Sequence, residues 1–293
     1  MPSPYVRRRR LAIELRKIRE NRGLTIEELA KLVFQSRTKI TRLELGQVRP
    51  DLAEIVKILH TLGVEGRQYD KMFQLALDAA EKGWWDRYSM AIGPRQKLYA
   101  DIESGADSIR SFDQTAMPAV LQSPEFVEAL VDLDRSRGAL DYRPDRMADA
   151  RARRQKCLLR PNGPSYETVL DECIIGRLAV PTAAMAAQLR HLVSVVTNED
   201  RIVVRLLRHN SKIPGGFLPR ASFYLFTFPD QADPPMAVLD TVTTDLVMTE
   251  RREVEEYTEL FDRLRNAALS PEDSLAFLDR VAADLTEEAV SGA

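Results

Sequence analysis

Residues 23–50 read GLTIEELAKLVFQSRTKITRLELGQVRP. Thr25, followed three positions later by Glu28, has the spacing of a capping box at the start of a helix. Apolar residues then recur at helical spacing, and Ser36 is a suitable N-cap for a second helix. Gly46 fits the end of that second helix. The stretch therefore predicts two short helices joined by a tight turn.

The second of these helices has two different sides. At about 100° per residue, Ile40 and Leu43 fall together and are expected to face inward. An arginine on the opposite side can fork onto guanine O6 and N7, and a threonine can offer a hydroxyl or a methyl group to a base edge. This layout is that of a helix-turn-helix and predicts binding in the major groove of DNA. The predicted DNA-binding residues are Arg37, Thr38, Thr41 and Arg42, with Lys39 on their flank and the two N-caps Thr25 and Ser36.

An alternative is a small amphipathic helical hairpin with a solvated basic face. Basic faces are common, so charge alone does not separate the two interpretations. Here the capping box, the turn, the inward-facing pair and the basic N-terminal end occur together. This combination favours the DNA-binding interpretation.

Residues 10–63 resemble the phage-repressor/XRE family of helix-turn-helix domains. The matching pieces are LRKIRENRGLT, EELA, SRTKITRLELG and the closing Pro50. The resemblance implies that the residues matching Arg37, Thr38, Lys39, Thr41 and Arg42 face DNA. It also implies that Glu44 ties the recognition helix to the first helix through Arg16 or Arg19.

Two positions depart from that family. Ile26 stands where the family often has a glutamine that contacts phosphate, so phosphate anchoring by this residue is not expected. Phe34 stands in the turn where the family often has glycine. Since a phenylalanine disfavours the left-handed backbone conformation, the turn is expected to be reshaped.

The charge of the chain is divided unevenly. Residues 1–50 hold 13 Lys and Arg against 5 Asp and Glu, which leaves 29 of the 42 basic and 39 of the 44 acidic residues for the remainder. The N-terminal unit thus has a charge balance of +8, and the rest of the chain has a balance of −10. This asymmetry predicts that the N-terminal unit binds DNA and that the acidic remainder is repelled by it. The run Arg7–Arg10 is either an arm that grips phosphates or the solvated start of the first helix.

Other classes of site find little support in the sequence. Cys157 and Cys173 are too few for a disulfide scaffold and are expected to be buried free thiols. The histidines lack metal-ligand spacing and no Gly-rich phosphate loop is present, so neither a metal nor a cofactor is expected. Asp171, Glu172 and Asp240 are better explained as surface or capping carboxylates than as a catalytic pair, and no enzymatic activity is expected. Without an apolar run that resembles a signal peptide or a membrane span, the expected location is the cytoplasm, at the nucleoid through DNA.

The expected fold class is α+β overall. An all-α, five-helix, repressor-like domain is expected over residues 1–82, a linker over 83–97 and a larger α+β domain over 98–293. Its sheet is expected to be mainly antiparallel and flanked by helices, because loops separate the strands more often than helices do. Beyond residue 50, helices are expected at 51–63, 67–82, 97–113, 144–159, 182–197 and 250–268, with a short one after Ser123 and another after Ser270. Strands are expected at 165–172, 201–208, 222–228 and 236–248.

The second domain resembles a large C-terminal domain of unknown function that follows an XRE domain in many actinobacterial regulators and is described as antitoxin-like. The resemblance runs from about residue 98 to 285 and rests on such segments as YADIESGADSIRSFDQTAMPAVLQSPEF, GGFLPRASFYLFTFPD and EYTELFDRLRNAALSPEDS. Because such regulators are often encoded beside a small protein, the resemblance implies a small partner protein.

The leading hypothesis is a sequence-specific transcriptional regulator that binds double-stranded DNA and, through its second domain, a small partner protein. A homodimer is expected, because two recognition helices must lie about 34 Å apart along the duplex. The alternative is a small-molecule-sensing regulator, in which a metabolite fills a pocket between the sheet and its helices.

Overall fold

The structure, a computed structural model, describes residues 2–88, 92–140, 142–216, 220–241 and 244–291. The chain divides into two compact units that are interleaved along the sequence. Unit 1 comprises Met1–Arg87, Gln96–Ala106 and Phe228–Pro234, and unit 2 comprises Tyr88–Arg95, Asp107–Thr227 and Pro235–Ala293. The sequence predicted two continuous domains, one that ends at residue 82 and one that begins at residue 98. Whether these segments fold independently stays a prediction.

Unit 1 is helical. Its first helices are α1 (Pro4–Asn21), α2 (Ile26–Leu32), α3 (Arg37–Glu44), α4 (Leu52–Thr61) and α5 (Gly66–Ala80). Most of a further helix, α6 (Pro94–Gly105), belongs to the same unit, so the expected five-helix count is not confirmed. Local signals set the helix starts, because Ser3, Thr25, Ser36 and Asp51 each accept a backbone N–H as the N-cap of α1 to α4.

A single apolar core joins α1 to α5. Each helix contributes side chains that are almost completely buried, among them Leu15, Leu29, Ile40, Leu59 and Ala76. Burying one leucine or isoleucine side chain stabilises the fold by roughly 1.5–3 kcal/mol. The position of α3 is therefore fixed by packing against the other helices.

The segment 97–113 is not the single helix that the sequence predicted. Helix α6 ends at Gly105, and strand β1 (Ser108–Asp113) follows. A Cβ on Gly105 would lie 2.4 Å from the backbone nitrogen of Ser3, so the close approach of the two segments requires glycine. Pairing on both sides, with residues 165–170 and 223–227, holds β1 extended. Tertiary pairing thus overrides the helical pattern.

Unit 2 combines a sheet with helices. Its other strands are β2 (Ser165–Asp171), β3 (Ile202–Leu207), β4 (Phe223–Thr227), β5 (Met236–Asp240) and β6 (Asp245–Met248). Its helices are α7 (Pro124–Ser136), α8 (Pro144–Leu158), α9 (Cys173–Gly176), α10 (Thr182–Asn198), α11 (Arg251–Ala267) and α12 (Pro271–Ser291).

The sheet is mixed, with antiparallel pairs in the majority, so the expected mainly antiparallel sheet is confirmed in part. The strand order is β3-β2-β1-β4-β5-β6. The β1–β2 and β2–β3 pairs are parallel, and the other three are antiparallel. Helices lie in the connections from β1 to β2 and from β2 to β3, as a parallel crossover requires. The strand predicted over 236–248 is a hairpin of β5 and β6, in which Asp240 pairs with Asp245, and residues 242–243 lie outside the described part.

A buried polar cluster lies within this sheet. The Asp113 carboxylate accepts hydrogen bonds from Ser111 Oγ at 2.6 Å, Tyr224 Oη at 2.7 Å and Thr168 Oγ1 at 3.1 Å. Burial raises the pKa of the Asp113 carboxyl to about 6, although the three hydroxyl donors oppose the rise. The satisfied oxygens explain how a carboxyl group is tolerated inside the sheet.

Cys157 and Cys173 are not part of a disulfide among the described residues, and both are only half-buried, which corrects the expected burial. Within the described ranges, no group of histidine, cysteine and acidic residues is placed to hold a metal ion. None of the helices in that part of the chain combines the length and apolar character needed to cross a membrane.

Candidate nucleic-acid interface

The capping box predicted at Thr25 is present. Thr25 Oγ1 accepts the backbone N–H of Glu28 at 3.2 Å, and Glu28 Oε2 accepts the backbone N–H of Thr25 at 2.8 Å. These bonds lower the pKa of the Glu28 carboxyl, the Thr25 backbone donor having the largest effect. Ile26, the next residue, is half-buried and packs against the core of unit 1. The start of α2 is thus organised by its own caps, and Thr25 stays exposed there.

The turn between α2 and α3 is left-handed at Phe34, with a φ of 55°. The backbone nitrogens of Phe34 and Gln35 donate to the carbonyls of Lys31 and Ala30, at 3.2 and 2.9 Å, and so close α2. The expectation that phenylalanine would reshape this turn is therefore wrong. Its ring is 84% exposed, and Lys57 Nζ lies 4.6 Å from the ring centroid. A cation–π contact of this kind offsets part of the backbone strain.

Helix α3 is held on the rest of unit 1 by apolar and ionic contacts. Ile40 and Leu43 are buried, as predicted. Glu44 accepts two hydrogen bonds from Arg19, from Nε at 2.7 Å and from Nη2 at 2.8 Å. Arg19 is therefore the partner of Glu44, while Arg16 pairs with Glu20 instead. A two-point ion pair between buried groups fixes the rotation of α3 as well as its distance from α1.

The predicted DNA-binding residues lie together on α2 and α3, but their side chains are not equivalent. Arg37, Thr38, Lys39 and Arg42 are exposed along α3. Ser36 Oγ accepts the backbone N–H of Lys39 at 3.2 Å and so acts as the cap of α3. Thr41 is half-buried, and its hydroxyl donates to the Arg37 carbonyl at 3.0 Å. With that rotamer, Thr41 offers its methyl group more readily than its hydroxyl.

Two of the cations are held by carboxylates that the sequence interpretation did not identify. Arg37 Nε lies 2.7 Å from Glu27 Oε1, and Lys39 Nζ pairs with Glu54. The Arg37 side chain is 70% exposed in this pair, so water screens the attraction. Exposed ion pairs contribute about 1 kcal/mol or less. A DNA phosphate or base can therefore replace Glu27 at small cost.

A second basic surface adjoins the C-terminal end of α3, and the sequence interpretation missed it. Tyr5, Arg8, Arg9, Gly46, Gln47, Arg49 and Asp86 line a depression of about 470 Å³. Arg9 Nη1 donates to the Leu45 carbonyl at 2.8 Å. This bond places a positive charge at the negative, C-terminal end of the α3 dipole, which is a favourable position for a cation. Gly46 has a φ of 64°, and a Cβ on it would lie 3.0 Å from Arg9 Cδ and 3.3 Å from the Arg8 carbonyl oxygen. Glycine is therefore needed where α1 approaches the end of α3.

The run Arg7–Arg10 was expected to be either an arm that grips phosphates or the solvated start of the first helix. Neither expectation describes Arg7, Arg8 and Arg10, which form ion pairs. Arg7 and Arg10 Nη1 lie 3.0 and 2.6 Å from Asp230 Oδ2, and both arginines also pair with Asp233. Arg8 Nη2 lies 3.3 Å from Asp101 Oδ2. The Ala232 backbone N–H and then Arg10 lower the pKa of the Asp230 carboxyl to about 2. The carboxylates that accept hydrogen bonds from these arginines lie 93 to 223 residues later in the chain. The ion pairs therefore connect distant stretches of sequence within unit 1.

Comparisons with known proteins give two family matches, in separate parts of the chain. Residues 10–71 match a family described as a helix-turn-helix domain. Residues 96–280 match a family described as a domain of unknown function, DUF5753. A search of curated proteins found no match. Because the second match covers more than half of the residues, the chain belongs to the DUF5753 family and carries a helix-turn-helix domain in front of that region.

Proposed function

We propose that this protein is a sequence-specific, DNA-binding transcriptional regulator of the XRE type. The observation that carries the proposal is the exposure of Arg37, Thr38, Lys39 and Arg42 on a helix whose opposite side is fixed by the core. A rigid helix with cations and hydroxyl groups near its N-terminus matches the major-groove reading geometry. The match to a helix-turn-helix family supports the proposal.

We infer separate roles for the two basic surfaces. Arg37 is assigned to base edges, because it lies in the first turn of α3. Arg49 lies beyond the C-terminal end of α3, where its exposed guanidinium donates a hydrogen bond to Asp86 at 3.0 Å in a pair that water can reach. We assign Arg49 to the phosphate backbone, together with Lys39 on the flank of α3.

The test is selection of bound sequences from random duplex DNA by the full-length chain, followed by affinity measurements on the selected duplex. Arg37→Ala is expected to cost about 1–3 kcal/mol on that duplex and to relax the sequence preference at one position. Arg49→Gln is expected to weaken binding to all duplexes and to reduce the salt slope by about 1. Lys31→Ala, an exposed lysine of α2 outside the proposed interface, is the control. Failure to enrich any sequence, or an unchanged preference in Arg37→Ala, contradicts the assignment.

The proposal includes a homodimer on DNA and a cytoplasmic location. Two copies of α3 spaced about 34 Å apart predict a selected site with two related halves one helical turn apart. Sedimentation of the protein–DNA complex measures the stoichiometry. A selected site without internal symmetry, bound by one chain, contradicts the dimer.

We propose that unit 2 binds a small partner protein, as in the antitoxin-like regulators. This part rests on the sequence resemblance alone. Co-purification of the small protein encoded beside this chain is the expected result, and its absence contradicts this part. The alternative is regulation by a small molecule, which is favoured by a cavity of about 320 Å³ between the sheet and α11, lined in part by Phe223, Leu239 and Tyr257. No enzymatic activity is part of either version.

A further inference from the structure

Unit 2 contains a cleft of about 530 Å³ beside α7 and α8. Much of its lining is apolar and comes from Val127, Val131, Ala148 and Ala152. Ligand sites in proteins typically have volumes of about 300–1,000 Å³ and a mainly apolar lining with a few polar groups. The size and the lining therefore fit a small molecule with an apolar body.

One guanidinium in this cleft is not compensated by a carboxylate. Arg151 of α8 lines the cleft, and its Nη1 donates to Gln122 Oε1 at 2.7 Å. Its Nε is buried and has no hydrogen-bond acceptor among the described residues. Asp134 attracts Arg151 from beyond ion-pair distance, but its own carboxylate accepts a hydrogen bond from Tyr142 Oη at 2.7 Å. The charge of Arg151 is thus met by a neutral amide rather than by an anion.

The surroundings of Arg151 disfavour its charge. Burial lowers the pKa of the Arg151 guanidinium, and the neighbouring Arg154 lowers it further. A partly buried cation with one buried donor that lacks an acceptor carries a desolvation cost. An anion bound in the cleft would remove that cost through charge-assisted hydrogen bonds.

The acidic residues at this cleft do not compete effectively for Arg151. Glu128, Asp145 and Asp149 are all exposed, so water screens their charges. Asp145 pairs with Arg143 at 2.8 Å, and Asp149 accepts a hydrogen bond from Tyr88. The half-buried Arg151 acts through a medium of lower dielectric constant than these exposed carboxylates do, so its charge is screened less.

We propose that this cleft is a binding site for a small organic anion, a carboxylate with an apolar body. The carboxylate pairs with Arg151 beside Gln122, and the apolar body packs on Val127 and Val131. The inference rests on unit 2 alone and stands whether or not the chain binds DNA.

The experiment is isothermal titration of the full-length protein with octanoate, acetate and the neutral analogue 1-octanol. Octanoate is expected to bind saturably with one molecule per chain, and both analogues about tenfold more weakly or worse, because one lacks the apolar body and the other lacks the charge. Arg151→Met is expected to lose about tenfold in octanoate affinity, and Arg151→Lys to lose less. Arg146→Met, which removes an exposed arginine of the same helix, is the matched control and is expected to bind as the wild type does.

Equal binding of octanoate and 1-octanol by the wild-type protein overturns the proposal, because it shows apolar adsorption without recognition of charge. An unchanged affinity in a folded Arg151→Met variant overturns it as well. So does the absence of saturable binding with octanoate. The comparison of the ligands on the wild-type chain decides the matter even where Arg151→Met fails to fold.

Discussion

Replacing Glu44 by glutamine should destabilise unit 1 strongly, although the side chain keeps its size. The change leaves one amide oxygen for Arg19, whose Nε and Nη2 now donate to two carboxylate oxygens at 2.7 and 2.8 Å. The Arg19 and Glu44 side chains are only 7% and 5% exposed, so water cannot replace the lost acceptor. Removing one partner of a buried ion pair costs about 3–5 kcal/mol. Glu20, 3.5 Å from Arg19, compensates part of this, and we expect about 3 kcal/mol.

Urea unfolding followed by tryptophan fluorescence measures this cost. The chain has two tryptophans, Trp84 and Trp85, and both belong to unit 1, so the signal reports on that unit. With a slope of about 2 kcal/mol per molar urea, a loss of about 3 kcal/mol lowers the midpoint by about 1.5 M. Arg16→Gln is the matched control, because it breaks an ion pair at 2.8 Å whose partners are 60% and 51% exposed, and it should cost less than about 1 kcal/mol.

Equal midpoints for Glu44→Gln and Arg16→Gln would refute the reasoning, because burial would then add nothing to the ion pair. A double-mutant cycle with Arg19→Met separates the interaction from the cost of an unpaired charge. The double variant Arg19→Met/Glu44→Leu should be more stable than Glu44→Gln, since it leaves no charge buried without a partner.

Three further predictions concern the turn, the sheet and the DNA interface. Phe34→Gly should be more stable than Phe34→Ala by about 1 kcal/mol, because only glycine relieves the left-handed backbone; equal thermal midpoints would contradict this. The Asp113 carboxyl, with its pKa raised to about 6, contributes stability that is complete below pH 4 and lost as the pH rises through 6. Stability should thus fall by up to roughly 3 kcal/mol from pH 4 to 8, and Asp113→Asn should flatten this slope in urea unfolding followed by circular dichroism; parallel slopes would exclude the assignment. Glu27→Gln should raise affinity for the selected duplex by about two- to fivefold, because Arg37 no longer has to leave a carboxylate; fluorescence anisotropy measures this, and weaker binding would count against it.

Much of the helix-turn-helix follows from local sequence signals. The caps at Thr25 and Ser36 fix where α2 and α3 begin, and the positions of Ile40 and Leu43 fix which side of α3 is buried. Each signal acts over one or two helical turns, which is the range that a sequence pattern covers. Whether the predicted residues contact DNA stays a prediction, because the exposure of a side chain does not identify its ligand.

Other features depend on contacts between residues distant in sequence. Strand β1 was predicted as helix, because its pairing with β2 and β4 brings together segments more than 50 residues apart. The ion pairs of Arg7 and Arg10 with Asp230 likewise leave no local pattern. The left-handed Phe34 was missed for a different reason, since a general propensity was overridden by the bonds that close α2 and by the contact with Lys57.

The composition of unit 1 from three separate stretches has a consequence for biosynthesis. The ribosome completes residues 1–87 early, but the carboxylates of Asp230 and Asp233 are incorporated about 140 residues later. At roughly 5–20 residues per second, that interval lasts on the order of 10–30 s. Until then, Arg7 and Arg10 lack the carboxylates of Asp230 and Asp233, and Asp78, 3.8 Å from Arg7, is the acidic partner available within residues 1–87. The helix-turn-helix is thus synthesised before this acidic stretch and reaches its final electrostatic state only after residue 233 has been added.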